Sequence, residues 1–482
     1  MSDRRESAPT AAALFPAHFE FGAATSAYQI EGAVRADGRG VSIWDEFCRR
    51  RGKISGGESG ERACDHYGRY RQDVGLMRKL GLQSYRFSIA WPRVIPGGTG
   101  PVNRQGLSFY ERLVDELLAA DITPFATLFH WDLPAALMKR YGGFLDRRAA
   151  EDFAAYAEVV TRALGDRVKH WITINEPFEH AFFGYVTGMH APGLHRPWSY
   201  PTVIHHQLLA HGMAVERIRE NCPGAQVGIA LSLTPIHASP EGDPEKNQAA
   251  ARTANEFMNF ITLDPLLRGR YPEDLSRRLR WFLPRIAQDD MKRIGAPLDF
   301  IGINNYQREH AHFSRWVPFL NSWISGGGAI AQGESVREGV QYTSMGWEVH
   351  PPALHEALSW LRRDYGNPPV YITENGAAFD DSLIDGAVHD PKRVAYIAAY
   401  LTQVQRAIAE GADVRGYFVW SLFDNFEWAA GYAKRFGIVH VDYEFQVRTI
   451  KTSGLWYAEQ IRAHLAAHDP ARSDSPRASV SP

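Results

Sequence analysis

Cysteine is scarce in this chain: three in 482 residues, Cys48, Cys64 and Cys222, an odd number at wide spacing. That usage argues against a disulfide framework and against a cysteine-built zinc site; it suits thiols that stay reduced, so a cytoplasmic location is expected. Long hydrophobic runs are missing as well. The N-terminal stretch carries charges, but its apolar run at 11–15 is far shorter than a signal-peptide core, and nothing later approaches the ~20 apolar residues of a membrane span. Nor is there an excess of one charge. Fifty-three basic residues stand against fifty-five acidic ones for a net of -2, with no basic stripe and no polybasic segment, so neither nucleic acid nor membrane is an expected partner. A Gly-x-Gly-x-x-Gly fingerprint after the first strand-like run is absent too, which argues against an open dinucleotide-binding sheet.

What the chain does have is a rhythm. Short apolar runs rich in β-branched and aromatic residues occur at "FEFGAAT", "SYRFSIA", "ITPFATLF", "VKHWITI", "QVGIALSL", "LDFIGIN", "PPVYIT" and "VRGYFVW". Between them lie segments of helical period, such as "RQGLSFYERLVDELLAA" and "PKRVAYIAAYLTQVQRAIAEG", several closing on glycine. The eight runs are continuously apolar rather than alternating, as buried parallel strands are. Eight strands alternating with helices predict an α/β fold, a single (β/α)8 TIM barrel with long βα loops forming the rim of the active site. The reading divides the chain into a flexible segment at 1–14, the barrel at 15–466, and a Pro/Ser/Arg-rich tail at 467–482 that is expected to be disordered. The long stretches at 31–66 and 307–346, the second including "SGGGAIAQGES", read as rim loops.

In such a barrel the C-terminal ends of the strands line the active site. The fourth run ends in Asn175-Glu176-Pro177, and the seventh ends in Glu374-Asn375-Gly376, 198 positions later. A single strand-end glutamate is most simply a cap or an arginine partner. Two that face each other across one mouth are the equipment of glycoside hydrolysis, where one carboxyl protonates the leaving oxygen and the other attacks the sugar or activates water. Other strand ends supply what a sugar site needs: Gln29 after the first, His130 and Trp131 after the third, and Trp420, Glu427 and Trp428 after the eighth. Indole rings stack on the C–H face of a pyranose, while Gln, His and Glu fork hydrogen bonds to neighbouring hydroxyls.

The segments "FGAATSAYQIEG", "YRFSIAWPR", "FHWDLP", "TINEP", "YITENG" and "KRFGIVHVD", in this order, resemble family 1 glycoside hydrolases, the β-glucosidases and their relatives, from about residue 15 to 465. The resemblance implies a retaining double displacement through a covalent glycosyl-enzyme. Glu176 is then the acid/base and Glu374 the nucleophile; Arg86 and Tyr306 support the nucleophile, and Asn175 holds the sugar's 2-hydroxyl. Gln29, His130, Trp131, Asn304, Tyr306, Trp420, Glu427, Trp428 and Phe436 fall on glycone-binding positions, with Gln29 and Glu427 clasping the far side of the sugar. It implies no cofactor and no metal. A nucleophile must be ionised while its partner is protonated, and the expected cause of the second condition is the neighbouring anion of the first.

The expected substrate is a small-molecule or oligosaccharide β-glycoside carrying glucose, with galactose or fucose left open, in the setting of polysaccharide and cellulose breakdown. A preference for unphosphorylated sugars is expected, because Trp428 and Phe436 stand where a phosphate-handling branch has serine and tyrosine, and because Glu427 adds a negative charge. Two departures from the family pattern fall outside the glycone side: Phe178-Glu179 where many relatives have Trp-Cys, and Asn305 in place of an aromatic residue. The histidines at 205, 206 and 211 have metal-like spacing but no carboxylates at ligand spacing in sequence. Three alternatives stay open: a mainly transglycosylating enzyme, a sugar-binding barrel without catalysis, and a thioglucosidase, although relatives of the last kind resemble this chain with glutamine at position 176. A homo-oligomer is also left open.

Overall fold

The eight apolar runs pair edge to edge in chain order and close on themselves. In the computed structural model, which describes residues 15–325 and 339–468, the strands are β1 (Glu20–Ala24), β2 (Ser84–Ser88), β3 (Thr123–Phe129), β4 (His170–Asn175), β5 (Gln226–Ser232), β6 (Phe300–Asn304), β7 (Val370–Asn375) and β8 (Val414–Trp420). Every neighbouring pair is parallel, and β8 returns to β1 to complete a closed barrel. Closure leaves no free edge, which is why the strands can be short.

Each strand is followed, in places after shorter helices, by a long helical segment. These are α1 (His66–Leu80), α2 (Arg104–Ala119), α3 (Arg148–Leu164), α4 (Tyr200–Asn221), α5 (Pro244–Asn255, continued through a wider turn to Ile261–Arg268), α6 (Pro352–Asp364), α7 (Pro391–Ala409) and α8 (Thr452–His468). Gly81 ends α1 in the left-handed region at φ 73, where a side chain would be strained. The last helix runs to His468, two residues into the stretch expected to be tail; positions 1–14 and 469–482 lie outside the described residues. Among the described residues no helix is long and apolar enough to cross a membrane.

The barrel's interior is a packed plug. Phe125, Ile172, Ala230, Phe300, Tyr371 and Phe418 fill it, with the Phe125 ring 4.8 Å from that of Phe418 and 5.2 Å from that of Tyr371. Polar groups at the C-terminal strand ends therefore sit in a cup with a dry floor.

Both stretches expected to be rim loops contain regular structure. The first carries the helix Ile43–Cys48, started by a capping box in which Ser42 and Asp45 bond each other's backbone. Its Trp44 ring lies 4.6 Å from that of Trp428. The second contributes Glu309–Phe313 and Ser322–Ser325, which join Ile236–Ala238 in a separate three-stranded sheet. Most of "SGGGAIAQGES" lies outside the described residues.

The segment after β8, which carries Glu427 and Trp428, is anchored by buried charge. Lys451 Nζ lies 2.5 Å from Asp381 and 2.6 Å from Asp424; Arg393 pairs with Asp381 at 2.8 Å and Arg435 with Asp424 at 2.7 Å. Removing one member of a buried network leaves its partners uncompensated. Lys451→Met is expected to cost about 3–5 kcal/mol of stability, read as a lower midpoint in urea unfolding at an unchanged slope.

Candidate active site

Local backbone geometry aims the two glutamates. The pairing of β4 with β5 slips between Ile172 and Asn175, and that of β7 with β6 slips between Ile372 and Glu374. Such slips bend a strand and redirect its side chains. Glu176 itself is left-handed at φ 46, and so are Trp131 (φ 72) and Trp428 (φ 49). A non-glycine residue held there costs of order 1–3 kcal/mol, which the surrounding packing must offset. Pro177 then starts the short helix Pro177–Ala181 immediately behind the carboxyl. Behind Glu374, a Cβ on Gly376 would strike the carbonyl oxygen of Trp420, so only glycine lets β7 and β8 approach there.

Glu374 is held from two sides. Arg86 Nη1, from β2, donates to its Oε1 at 2.6 Å, and the Tyr306 hydroxyl donates to its Oε2 at 2.6 Å. Tyr306 is fixed in turn by α7, where the Tyr396 and Tyr400 hydroxyls both donate to its carbonyl at 2.9 Å. Arg86 uses its other arm on Asn175, with Nη2 2.6 Å from Oδ1. Asn175 Nδ2 donates to His130 Nε2 at 3.1 Å and to Glu176 Oε2 at 3.3 Å. One chain of contacts thus runs from Glu374 through Arg86 and Asn175 to Glu176. Asn304 donates to Asn175 Oδ1 at 3.0 Å and accepts from Thr373 at 2.6 Å, and Trp131 Nε1 donates to the Asn175 carbonyl at 3.0 Å. Asn375 plays no comparable part: its amide donates to the Asn305 carbonyl, and its oxygen accepts from Tyr417, both at 2.6 Å.

The charge states differ although the residue types are the same. Burial pushes the Glu374 carboxyl up, and Arg86, Tyr306 and Asn304 oppose it; a carboxylate gripped at 2.6 Å by a guanidinium is ionised at neutral pH. Glu176 is raised well above the usual carboxylate range. Its main cause corrects the sequence expectation: burial comes first, the neighbouring Glu179 second, and the Glu374 anion third. Glu427 needs a correction as well. Burial, reinforced by the charge of Glu374, pushes it up to about 8, so at neutral pH it carries a proton instead of the expected negative charge.

The predicted sugar-binding residues come together in the same cup. Gln29 Nε2 donates to Asn425 and to the Phe426 carbonyl at 3.0 Å, and to Glu427 at 3.4 Å. Burial and Arg86 hold His130 well below its ordinary value, so it is neutral. Since its Nε2 accepts from Asn175, the ring proton sits on Nδ1, which is shut away from solvent and has no partner among the described residues. Its ring stacks 5.9 Å from that of Trp420 and 6.0 Å from that of Trp428, and the Trp131 ring lies 4.8 Å from Trp428. Phe436 packs against Tyr306 at 6.1 Å.

Three participants were missed. Trp347 packs 5.3 Å from Tyr306 and 5.8 Å from Phe436; it follows a stretch with no strand pattern, and nothing in the sequence ties it to the site. Trp44, which backs Trp428, gave no signal either. Glu179 did give one: it stands only three residues after Glu176, near enough for one carboxyl to act on the other. The remaining departures are structural. Phe178 stacks on Phe182 at 5.3 Å, and Asn305 donates to the Leu233 carbonyl at 2.7 Å. The helix-borne histidines are each engaged: His205 with Tyr271 and, at 3.2 Å, with Asp290, a carboxylate that only the fold brings near; His206 with the Phe144 carbonyl; and His211 with Thr173.

The family model described as glycosyl hydrolase family 1 matches residues 11–465. Beta-glucosidase A of Thermotoga maritima is 44% identical over 450 residues, which span 93% of this chain and 98% of that one. Beta-glucosidase A of Acetivibrio thermocellus is 44% identical over 451 residues, again 93% and 98%. The solved family 1 β-glucosidase from T. maritima in complex with isofagomine lactam superposes with a TM-score of 0.87 at 43% identity, covering 93% of this chain and 99% of its own. A barrel closed in the order of its strands, two glutamates at the ends of β4 and β7, and this similarity over nearly the whole length lead to one assignment: the chain belongs to glycosyl hydrolase family 1.

Proposed function

We propose that this protein is a retaining β-glucosidase that removes terminal β-D-glucosyl residues, with residues 15–466 as one catalytic barrel. The observation that carries the proposal is the unequal treatment of two carboxyls in one cup: Glu374 is gripped by Arg86 and Tyr306, while Glu176 is buried without a cation of its own. The first is equipped to attack, the second to give up a proton.

In the first step Glu374 attacks the anomeric carbon while Glu176 protonates the departing oxygen. The glycosyl ester that forms removes the charge of Glu374, one of the terms that keeps Glu176 protonated. Glu176 then takes a proton from the incoming water, which releases the sugar and restores Glu374. Asn175, fixed by Arg86 and Asn304, would hold the 2-hydroxyl. Gln29, Glu427 and His130 would serve hydroxyls farther round the ring, against the indoles of Trp420 and Trp428. The solved T. maritima relative binds isofagomine lactam, a sugar-like inhibitor, which supports a glycoside-sized ligand here. Scarce cysteine supports a cytoplasmic location; the substrates we propose are short β-linked glucosides, including fragments of cellulose.

Retention requires the two carboxyls to stand about 5–5.5 Å apart. Proton NMR of the first sugar released from an aryl β-glucoside is expected to show the β anomer ahead of mutarotation. Initial appearance of the α anomer would refute the double displacement. A panel of aryl β-glycosides run alongside would rank glucose against galactose and fucose.

A further inference from the structure

Glu179 lies on the helix Pro177–Ala181, one turn beyond Glu176. Glu176 is the N-cap of that helix and Glu179 its third residue, the spacing at which a capping box brings two side chains together. No cation pairs with Glu179 among the described residues, and its Oε2 is shut away from solvent without a hydrogen-bond partner. The groups around it are few. Ser232 at the end of β5 is its polar neighbour, and Tyr200 at the start of α4 feels its charge. His180, on the same short helix, is buried and neutral at about 3. Tyr185, in the next turn, keeps its phenol proton well above the ordinary range. His206 and His211 of α4 are bonded elsewhere, to the Phe144 carbonyl and to Thr173. Across the cup stand Glu374, Arg86 and Tyr306, and the one guanidinium is already divided between Glu374 and Asn175.

Once Glu374 is ionised against Arg86, no positive charge remains for a second carboxylate, and two buried anions one turn apart would repel each other. We propose that Glu179 is a positioning residue for the proton of Glu176: the two carboxyls act as a coupled pair in which loss of one proton secures the other. This rests on the reading of Glu176 as the acid. Burial raises both carboxyls, Glu179 to about 8, and the charge of Glu179 is itself among the causes that raise Glu176. On raising the pH, Glu179 therefore ionises first, and its new charge delays the ionisation of Glu176. The acid stays loaded further into alkaline solution than a lone carboxyl would.

The test compares pH profiles of kcat/KM on methyl β-glucoside, which needs an acid, and on 2,4-dinitrophenyl β-glucoside, which does not. In Glu179→Gln the alkaline limb on the methyl glucoside is expected to fall by on the order of one pH unit. On the dinitrophenyl substrate the profile should not move, and Glu179→Asp should restore the limb. An unmoved limb in Glu179→Gln, or an equal change on both substrates, would overturn the proposal. If Glu176→Ala kept the original limb on the methyl glucoside, the assignment of the acid would fail instead, which separates the two. Should Glu179→Gln not fold, coupling can be read from the acid itself: the carboxyl carbon of Glu176, followed by 13C NMR, should titrate at lower pH in Glu179→Ala than in the unaltered protein. Identical midpoints would overturn the pairing.

Discussion

Replacing Glu374 by alanine is expected to lower kcat/KM on the order of 10^6-fold on every β-glucoside, the scale seen when an enzyme loses its nucleophile. Replacing Glu176 by alanine is expected to cost roughly 10^2–10^4-fold, and only where the leaving group needs a proton. Alkyl glucosides would suffer fully, whereas dinitrophenyl glucoside would still glycosylate the enzyme near its original rate. Azide separates the two roles further. With Glu176→Ala it can enter the vacated space and attack the glycosyl-enzyme, giving the β-glycosyl azide; with Glu374→Ala and an activated substrate it takes the place of the nucleophile and gives the α product. Rates on a graded series of leaving groups, with NMR of the azide products, check both statements. The same leaving-group dependence in the two variants would reverse or abolish the assignment. The difference follows from the contacts: Glu374 carries the charge that Arg86 and Tyr306 are built around, and nothing else in the cup can replace it.

The second large effect is discrimination against a phosphorylated sugar. Glucoside 6-phosphate is expected to react roughly 10^2–10^3-fold more slowly in kcat/KM than the plain glucoside, the equivalent of about 3–4 kcal/mol for burying a charge without a partner. The reason differs from the one suggested by the sequence. Glu427 carries a proton at neutral pH, so full charge repulsion between it and the phosphate is not the main cost. What opposes the dianion is the shortage of positive charge among the described residues of the cup. Arg86 serves Glu374 and Asn175, so the Lys434 ammonium, bonded to the Ser344 carbonyl, would meet a dianion with a single charge. The Trp428 indole, wedged between Trp44 and Trp131, fills the space. Kinetics on p-nitrophenyl β-D-glucoside and its 6-phosphate decide the matter; a preference for the phosphate would show that the clasp of Gln29 and Glu427 has been misread.

The fold was legible because its determinants are local. A buried parallel strand must be apolar throughout, and the helix returning from it must be amphipathic, so each βα unit announces itself within about thirty residues. The ends of β4 and β7 were legible for the same reason: an abrupt carboxylate after an apolar run marks a strand end whichever strands lie beside it. The sheet formed by Glu309–Phe313 and Ser322–Ser325 was not. Its stability comes from pairing with Ile236–Ala238, and that pairing crosses all of α5 and β6 in sequence.

The sequence by itself determined the barrel, the two strand-end glutamates, and the residues that gather around them in one cup. Only the tertiary structure decided which carboxyls carry protons, because desolvation and Coulomb terms sum over everything within several ångströms, and here those groups come from β2, β4, β5, β6 and β7. Four glutamates stand in or beside one cup. One is ionised because Arg86 reaches it from β2; Glu176, Glu179 and Glu427 keep their protons at neutral pH because the fold buries them and leaves no second cation within reach.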